Sequence, residues 1–133
     1  MTGRQKEPVK ESRSFTSVKE LRPHIRKLKT RVEELTQMLE LPTLDSGDIE
    51  PLRVHIVNNL RDLYWQNSPE FEKYEHLRII PLTMRTGFEN PYEEKQRDQQ
   101  RYRLGIAKTI KTLNGVIVEL EERVEMTCPS SAA

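Results

Sequence analysis

Residues 106–124, IAKTIKTLNGVIVELEERV, decide the fold class of this chain. Large apolar side chains recur there at steps of four, three, four, three and four residues, which is the spacing of a heptad repeat. Such a repeat forms a narrow apolar stripe along one side of a helix, and that stripe must be buried against another helix. We name this stripe the C-terminal seam, and Tyr102 or Leu104 extends it; it comprises Ile106, Ile110, Leu113, Ile117, Leu120 and Val124.

A second stripe of the same spacing lies within residues 21–39. Ser17 and Glu20 have the spacing of a capping box ahead of it, but Pro23 lies too far inside a helix that is capped there. We therefore expect the helix either to begin near Pro23 or to kink at it, and to end near residues 41–42. We name this stripe the N-terminal seam; it comprises Leu21, Ile25, Leu28, Val32, Leu35 and Leu39.

A further helix is expected to open at Asp48 or Glu50, with Pro51 in its first turn, where a missing N–H costs little. It should stop at residues 65–67. Residues 68–70, Ser-Pro-Glu, combine an N-cap with a proline and an early acid, and they predict a short helix. The apolar stripe of the longer helix consists of Leu52, Ile56, Leu60 and Leu63.

The last helix is predicted to run from Pro91 to Glu125, about 50 Å, with Asn90 as its cap. The thirteen-residue connection before it, residues 78–90, lacks periodicity, and loops of that length are often functional. The first turns of the helix, residues 93–101, have almost no apolar face. We expect them to be solvated or to meet another chain.

Together these segments predict an all-α fold, a small antiparallel bundle of three to four helices with coiled-coil-like seams. No segment has the alternation of a strand. We expect one helical domain over residues 16–127, between a disordered basic tail at residues 1–15 and a short disordered tail at residues 128–133.

The composition excludes several classes of protein. The chain has 133 residues, 32% of them charged, with a mean hydropathy of -0.77. Its apolar runs are far shorter than the roughly 20 residues of a membrane-spanning helix, and its N-terminus lacks the apolar core of a secretory signal. A lone cysteine, Cys128, cannot form an internal disulfide, so a cytoplasmic location is expected.

No catalytic or metal-binding motif stands out. His24, His55 and His76 are far apart, and none has a Glu three residues before it. The chain lacks a nucleophile elbow and a glycine-rich phosphate loop. Adjacent acid pairs such as residues 121–122 point about 100° apart on a helix, which is typical of solvated faces. We therefore expect no enzyme activity, no cofactor, no metal and no small-molecule ligand.

Charge is unevenly distributed although the net charge is only +1. Residues 1–31 hold ten Lys or Arg against three Glu, whereas residues 32–75 hold three against ten Asp or Glu. One interpretation is a basic surface for phosphate backbones or an acidic partner. The favoured one is internal pairing between basic and acidic helices. The candidate basic patch consists of Arg22, Arg26, Lys27, Lys95, Arg103 and Lys108.

Aromatic residues cluster near the end of the second helix, and apolar ones recur in the long connection. We favour packing in the core for both groups of residues. The alternative is an exposed anchor for a partner, because Trp and Tyr dominate binding hot spots. The candidate interaction surface consists of Tyr64, Trp65, Ile80, Met84, Phe88, Arg97 and Arg101.

The spacing of residues 54–80 and 102–122 resembles the α-helical module that accompanies TIR-like predicted nucleotide-binding and effector proteins of bacteria. The resemblance covers residues 17–125; in that family an effector domain follows the helical part, and none is expected within these 133 residues. It implies a sensing, oligomerising or docking part without an active site. The residues that carry it are Leu60, Tyr64, Ser68, Pro69, Phe71, Tyr74, Leu104, Gly105, Ile106, Leu113, Ile117 and Leu120.

The predicted function is therefore a non-enzymatic helical interaction or regulatory module, which acts by docking or oligomerisation. The alternative is a nucleic-acid-binding accessory protein that uses the basic N-terminal and Lys95–Lys111 surfaces. The expected partner is another protein, a second copy of the chain bound through the C-terminal seam, or both; no membrane partner is expected.

Overall fold

The computed structural model describes residues 18–80 and 90–127, which form four helices. These are α1 (Val18–Leu39), α2 (Ser46–Tyr64), α3 (Pro69–Glu72) and α4 (Pro91–Thr127). No strand occurs within these two ranges, so the predicted all-α bundle is confirmed. The predicted tails at residues 1–15 and 128–133 lie outside the described residues, as do Met84, Phe88 and Cys128.

Both long N-terminal helices contain a proline beyond their first turn. α1 begins at Val18 and includes Pro23, so the alternative of a start near Pro23 is wrong. α2 begins at Ser46, capped by the Asp45 carboxylate, which accepts a hydrogen bond from the Gly47 N–H at 2.9 Å. The predicted start at Asp48 or Glu50 is therefore too late. Each proline is the sixth residue of its helix, whereas proline is most frequent at the first helical position.

The two seams lie in one hydrophobic core. Every residue of both seams is buried or half-buried. The stripe of α2 joins them, and Phe71 of α3 and Ile79 are completely buried in the same cluster. The burial of the C-terminal seam within the chain removes it as a surface for a second copy. A second copy bound through these residues would compete with the core for the same surface, and the predicted self-association stays a prediction.

α1 is antiparallel to α4. At the middle of α1, Lys29 Nζ lies 3.2 Å from Glu121 Oε2 near the end of α4, whereas beyond the end of α1 Leu44 is hydrogen-bonded to Gln99 near the start of α4. α2 folds back along α1, and its last residue, Tyr64, lies within the electrostatic reach of Glu119 on α4. The bundle thus has one end where α1 begins and α2 and α4 finish, which we name the Tyr64 end.

α4 is much longer than its partners. Its 37 residues span about 55 Å, against about 33 Å for the 22 residues of α1. Because the two helices run antiparallel, roughly the first four turns of α4 extend past the end of α1.

Candidate interaction surfaces

Trp65 occupies an unusual corner at the Tyr64 end, where α2 stops. Its backbone has φ 72 and ψ 144, and it is the one non-glycine residue with positive φ in the described ranges. That region of backbone space costs a residue with a side chain about 1–3 kcal/mol. The Trp65 side chain is nevertheless 50% exposed. An exposed indole thus stands on a strained backbone.

Ser68 holds this corner in place. Its side chain is buried, and its hydroxyl donates a hydrogen bond to the Trp65 carbonyl oxygen at 2.9 Å. The same oxygen atom of Ser68 accepts from the Phe71 N–H at 3.1 Å, which caps α3. The Trp65 N–H donates to the Arg61 carbonyl at 2.8 Å. One buried hydroxyl therefore fixes both the end of α2 and the start of α3.

The other aromatic side chains of this region pack beneath the corner. The Tyr64 and Tyr74 rings are stacked with their centroids 6.0 Å apart, and the Arg61 guanidinium lies 5.4 Å from the centroid of the Phe71 ring. Burial, and next the negative charge of Glu119, raises the pKa of Tyr64, and the same two causes raise the pKa of Tyr74. The aromatic residues predicted to cluster near the end of α2 do so: Tyr64, Phe71 and Tyr74 pack in one hydrophobic cluster.

The remaining members of the candidate interaction surface are dispersed. Tyr64 is only 4% exposed, so its ring serves the core. Ile80 is half-buried and borders a small polar groove at the start of α2, beside Glu50 and Arg53. Arg97 and Arg101 are half-buried on the overhang of α4. Of the seven predicted residues, Trp65 is the described one that combines an aromatic side chain with exposure.

Arg101 has partners within its own helix. Its guanidinium lies 3.1 Å from an Asp98 carboxylate oxygen and 5.8 Å from the centroid of the Tyr102 ring. These contacts order the side chain along α4. They also neutralise part of its charge, so it contributes little to an attractive field for anions.

The polar start of α4 binds the loop between α1 and α2. Gln99 donates to the Leu44 carbonyl and accepts from the Leu44 N–H, both at 2.7 Å. Arg103 donates to the Leu39 carbonyl at 2.9 Å, the Leu41 carbonyl at 2.7 Å and the Pro42 carbonyl at 3.3 Å. This part of the helix therefore has an intramolecular role that sequence analysis missed. One signal was present: the last turn of α1 has no basic residue to cap its own carbonyls.

The candidate basic patch is divided by these contacts. Arg103 is engaged in the loop, while Arg22, Arg26 and Lys27 are exposed near the start of α1. Lys95 and Lys108 are exposed on α4. At about 1.5 Å per residue, they lie about 39 Å and 20 Å along that helix from Glu121, which pairs with α1. The basic residues do not form one continuous surface.

A groove of about 530 Å³ separates α1 from the end of α4. Arg22, Arg26, Lys29 and Glu33 are the charged residues on its α1 side, and Glu121 and Glu125 line the opposite side. The α1 wall is thus mainly basic and the α4 wall acidic, which suits neither a purely anionic nor a purely cationic ligand. The Lys29–Glu121 ion pair crosses it.

Within the described ranges, no group of three or more His, Cys, Asp or Glu side chains is arranged to hold a metal ion. None of the described helices is long and apolar enough to cross a membrane.

Comparison with known proteins found no protein-family model, no curated protein and no solved structure that matches this chain. The resemblance to the helical module of TIR-like effector proteins therefore stays a prediction.

Proposed function

We propose that this chain is a non-enzymatic helical module that binds a partner protein through a surface centred on Trp65. The observation that carries the proposal is the half-exposed indole on a left-handed backbone. Strained backbone persists where the surrounding structure holds it, and it clusters at functional sites. Ser68 supplies that support here.

The physical properties of Trp65 suit a protein contact. A large ring with few rotatable bonds gives much contact area at a low entropy cost, and Trp is enriched among residues that dominate binding energy. Gln66 and Asn67 beside it are exposed and polar, which is typical of the rim of an interface. The partner surface we expect is an apolar pocket with hydrogen-bonding groups at its edge.

The resemblance to the helical module of TIR-like effector proteins is consistent with this proposal. A module that accompanies an effector needs a docking surface and no active site of its own. We infer that this chain positions or regulates the protein that it binds.

The test is site-specific photo-cross-linking. A benzophenone amino acid replaces Trp65 in one variant and Val54, 44% exposed on α2, in the matched control. We expect the variant at position 65 to cross-link one protein in cells of the source organism, and the variant at position 54 to leave that protein unlinked. Equal cross-linking from both positions would contradict the proposal.

The captured protein is then purified and titrated into the full chain. Trp65 is the only tryptophan, so its fluorescence reports directly on this corner. We expect emission to move to shorter wavelength as the indole is buried, and Trp65→Ala to weaken binding roughly 30-fold, the effect of a 2 kcal/mol hot spot. Binding that leaves Trp65 emission unchanged would exclude this surface.

The second candidate function is nucleic-acid binding, favoured by the exposed Arg22, Arg26 and Lys27 on α1. Nucleic-acid binding ranks second for two reasons. The Arg103 guanidinium is already hydrogen-bonded to the Leu39 carbonyl, and Glu121 and Glu125 face the basic residues of α1 across the groove. Retention of a duplex or single-stranded oligonucleotide near physiological salt, with a steep salt dependence that Arg22→Ala and Arg26→Ala reduce, would promote it. Failure to retain either oligonucleotide excludes it.

A further inference from the structure

One face of α4 is exposed along most of its length, although it carries apolar residues. Leu104 is 70% exposed and Val118 is 52% exposed. The two lie fourteen residues apart, so they project from the same side of the helix. Ala107, Lys111 and Gly115 lie between them on that side and are exposed as well. We name these five residues the outer face of α4.

Nothing within the described part of the chain explains the glycine of this face. A Cβ atom built on Gly115 would meet no other atom within 4 Å. Glycine in a helix interior costs about 1 kcal/mol relative to alanine, so Gly115 weakens the isolated chain without relieving a clash. The close approach of a second backbone is one physical use for such a residue.

The outer face is symmetric about Lys111. Leu104 and Val118 are each seven residues from Lys111, and Ala107 and Gly115 are each four residues from it. In an antiparallel pair of α4 helices with Lys111 at the two-fold axis, Leu104 of one copy meets Val118 of the other. Ala107 of one copy likewise meets Gly115 of the other. A two-fold interface requires self-complementarity of this kind.

Charge follows the same symmetry. One turn beyond the apolar residues, this side of α4 carries the exposed Gln100 at one end and the exposed Glu122 at the other. Antiparallel pairing places Gln100 opposite the partner's Glu122, where the amide N–H groups can donate to the carboxylate. A parallel pair would place the two Glu122 carboxylates together. Charge complementarity therefore selects the antiparallel arrangement.

We propose that the outer face of α4 binds a second copy of this chain, antiparallel, with Lys111 at the two-fold axis. This surface includes neither Trp65 nor any residue of the C-terminal seam, so the proposal stands independently of the proposed function. A single pair of helices lies at the small end of interface sizes, below about 1,200 Å². We therefore expect a weak dimer whose population depends on concentration.

The first test measures mass against concentration by sedimentation equilibrium on the full chain, from micromolar to millimolar. We expect the mass to rise from 15.7 kDa toward twice that value. Leu104→Ser and Val118→Ser should each raise the dissociation constant at least tenfold, because each change removes an apolar contact twice in the dimer. Both residues are exposed, so both variants should fold, which circular dichroism checks. A constant mass of 15.7 kDa at millimolar concentration would overturn the proposal.

Two further variants test the centre of the interface. Lys111→Gln removes the like charges at the axis without adding apolar surface, and it should tighten the dimer. Gly115→Leu should loosen it by separating the helices, while it raises the stability of the monomer. A dimer that is insensitive to both changes would be formed by another surface.

The register is tested by disulfide trapping in a Cys128→Ser background. Lys111→Cys should cross-link to itself, and a mixture of Leu104→Cys with Val118→Cys should form the mixed disulfide. Leu104→Cys alone should stay reduced, because disulfides require Cα atoms within about 7 Å. Efficient self-cross-linking of Leu104→Cys would indicate a parallel pair and overturn the arrangement.

Discussion

At the scale of single residues, Ser68 determines the geometry of the candidate site. Ser68→Ala removes the hydrogen bond to the Trp65 carbonyl and the cap of α3. We expect a loss of about 1–2 kcal/mol in unfolding free energy, measured by urea denaturation. Ser46→Ala, at an exposed position of α2, is the control and should change stability by less than about 0.5 kcal/mol. Equal effects at both serines would contradict the role of Ser68.

Trp65 gives a second prediction at this scale, because its backbone inverts the usual ranking of alanine and glycine. At φ 72, Trp65→Gly should be more stable than Trp65→Ala by about 1 kcal/mol, since only glycine adopts this backbone without strain. At Val54, which lies inside α2, the alanine variant should be more stable than the glycine variant by a similar amount. Thermal denaturation of the four variants compares the two positions. If alanine were more stable than glycine at both positions, residue 65 would have relaxed out of its left-handed conformation.

At the scale of elements, the contact between α4 and the loop after α1 replaces a missing helix cap. Arg103→Ala leaves the Leu39 and Leu41 carbonyls without the guanidinium, and we expect a loss of about 1–2 kcal/mol in chemical denaturation. Lys108→Ala, at an exposed site on the same helix, is the control. If Arg103→Ala and Lys108→Ala lower the unfolding free energy equally, the Arg103 guanidinium contributes nothing specific to the contact between α4 and the loop after α1.

At the scale of the whole molecule, the buried side of α4 maintains the fold. Leu113 is fully buried, so Leu113→Arg should unfold the chain by placing an unpaired charge in the core. Leu104→Arg makes the same chemical change at a side chain that is 70% exposed, and it should leave the helical circular dichroism intact. Loss of helicity in both variants would mean that the outer face is needed for folding.

Alkaline pH should unfold the molecule partly through its tyrosines. The pKa of Tyr64 and that of Tyr74 are raised in the folded state, so the folded chain holds these protons more tightly than the unfolded chain. Their contribution to stability is complete below the unfolded pKa of about 10 and is lost as the pH rises above it. Tyr64→Phe should shift the alkaline unfolding midpoint, followed at 222 nm, to higher pH. An unshifted midpoint would show that lysine titration alone governs the transition.

The sequence by itself determined the helical class, both seams, the end of α2 and the caps at Ser68 and Asn90. These features depend on residues three or four positions apart, and such neighbours meet in any helix. The start of α2 was placed two to four residues late, and Pro23 left the start of α1 open between two alternatives. A proline is tolerated beyond the first turn when the surrounding helix is held by packing.

Only the tertiary structure decided which polar residues have a partner. Arg103 and the Leu39 carbonyl are 64 residues apart, and Gln99 and Leu44 are 55 apart. No local periodicity encodes such contacts, because they depend on how far one helix overhangs another. The same holds for the outer face of α4. Its apolar residues stay exposed because the core side of the helix is already occupied by the seam that packs within the chain.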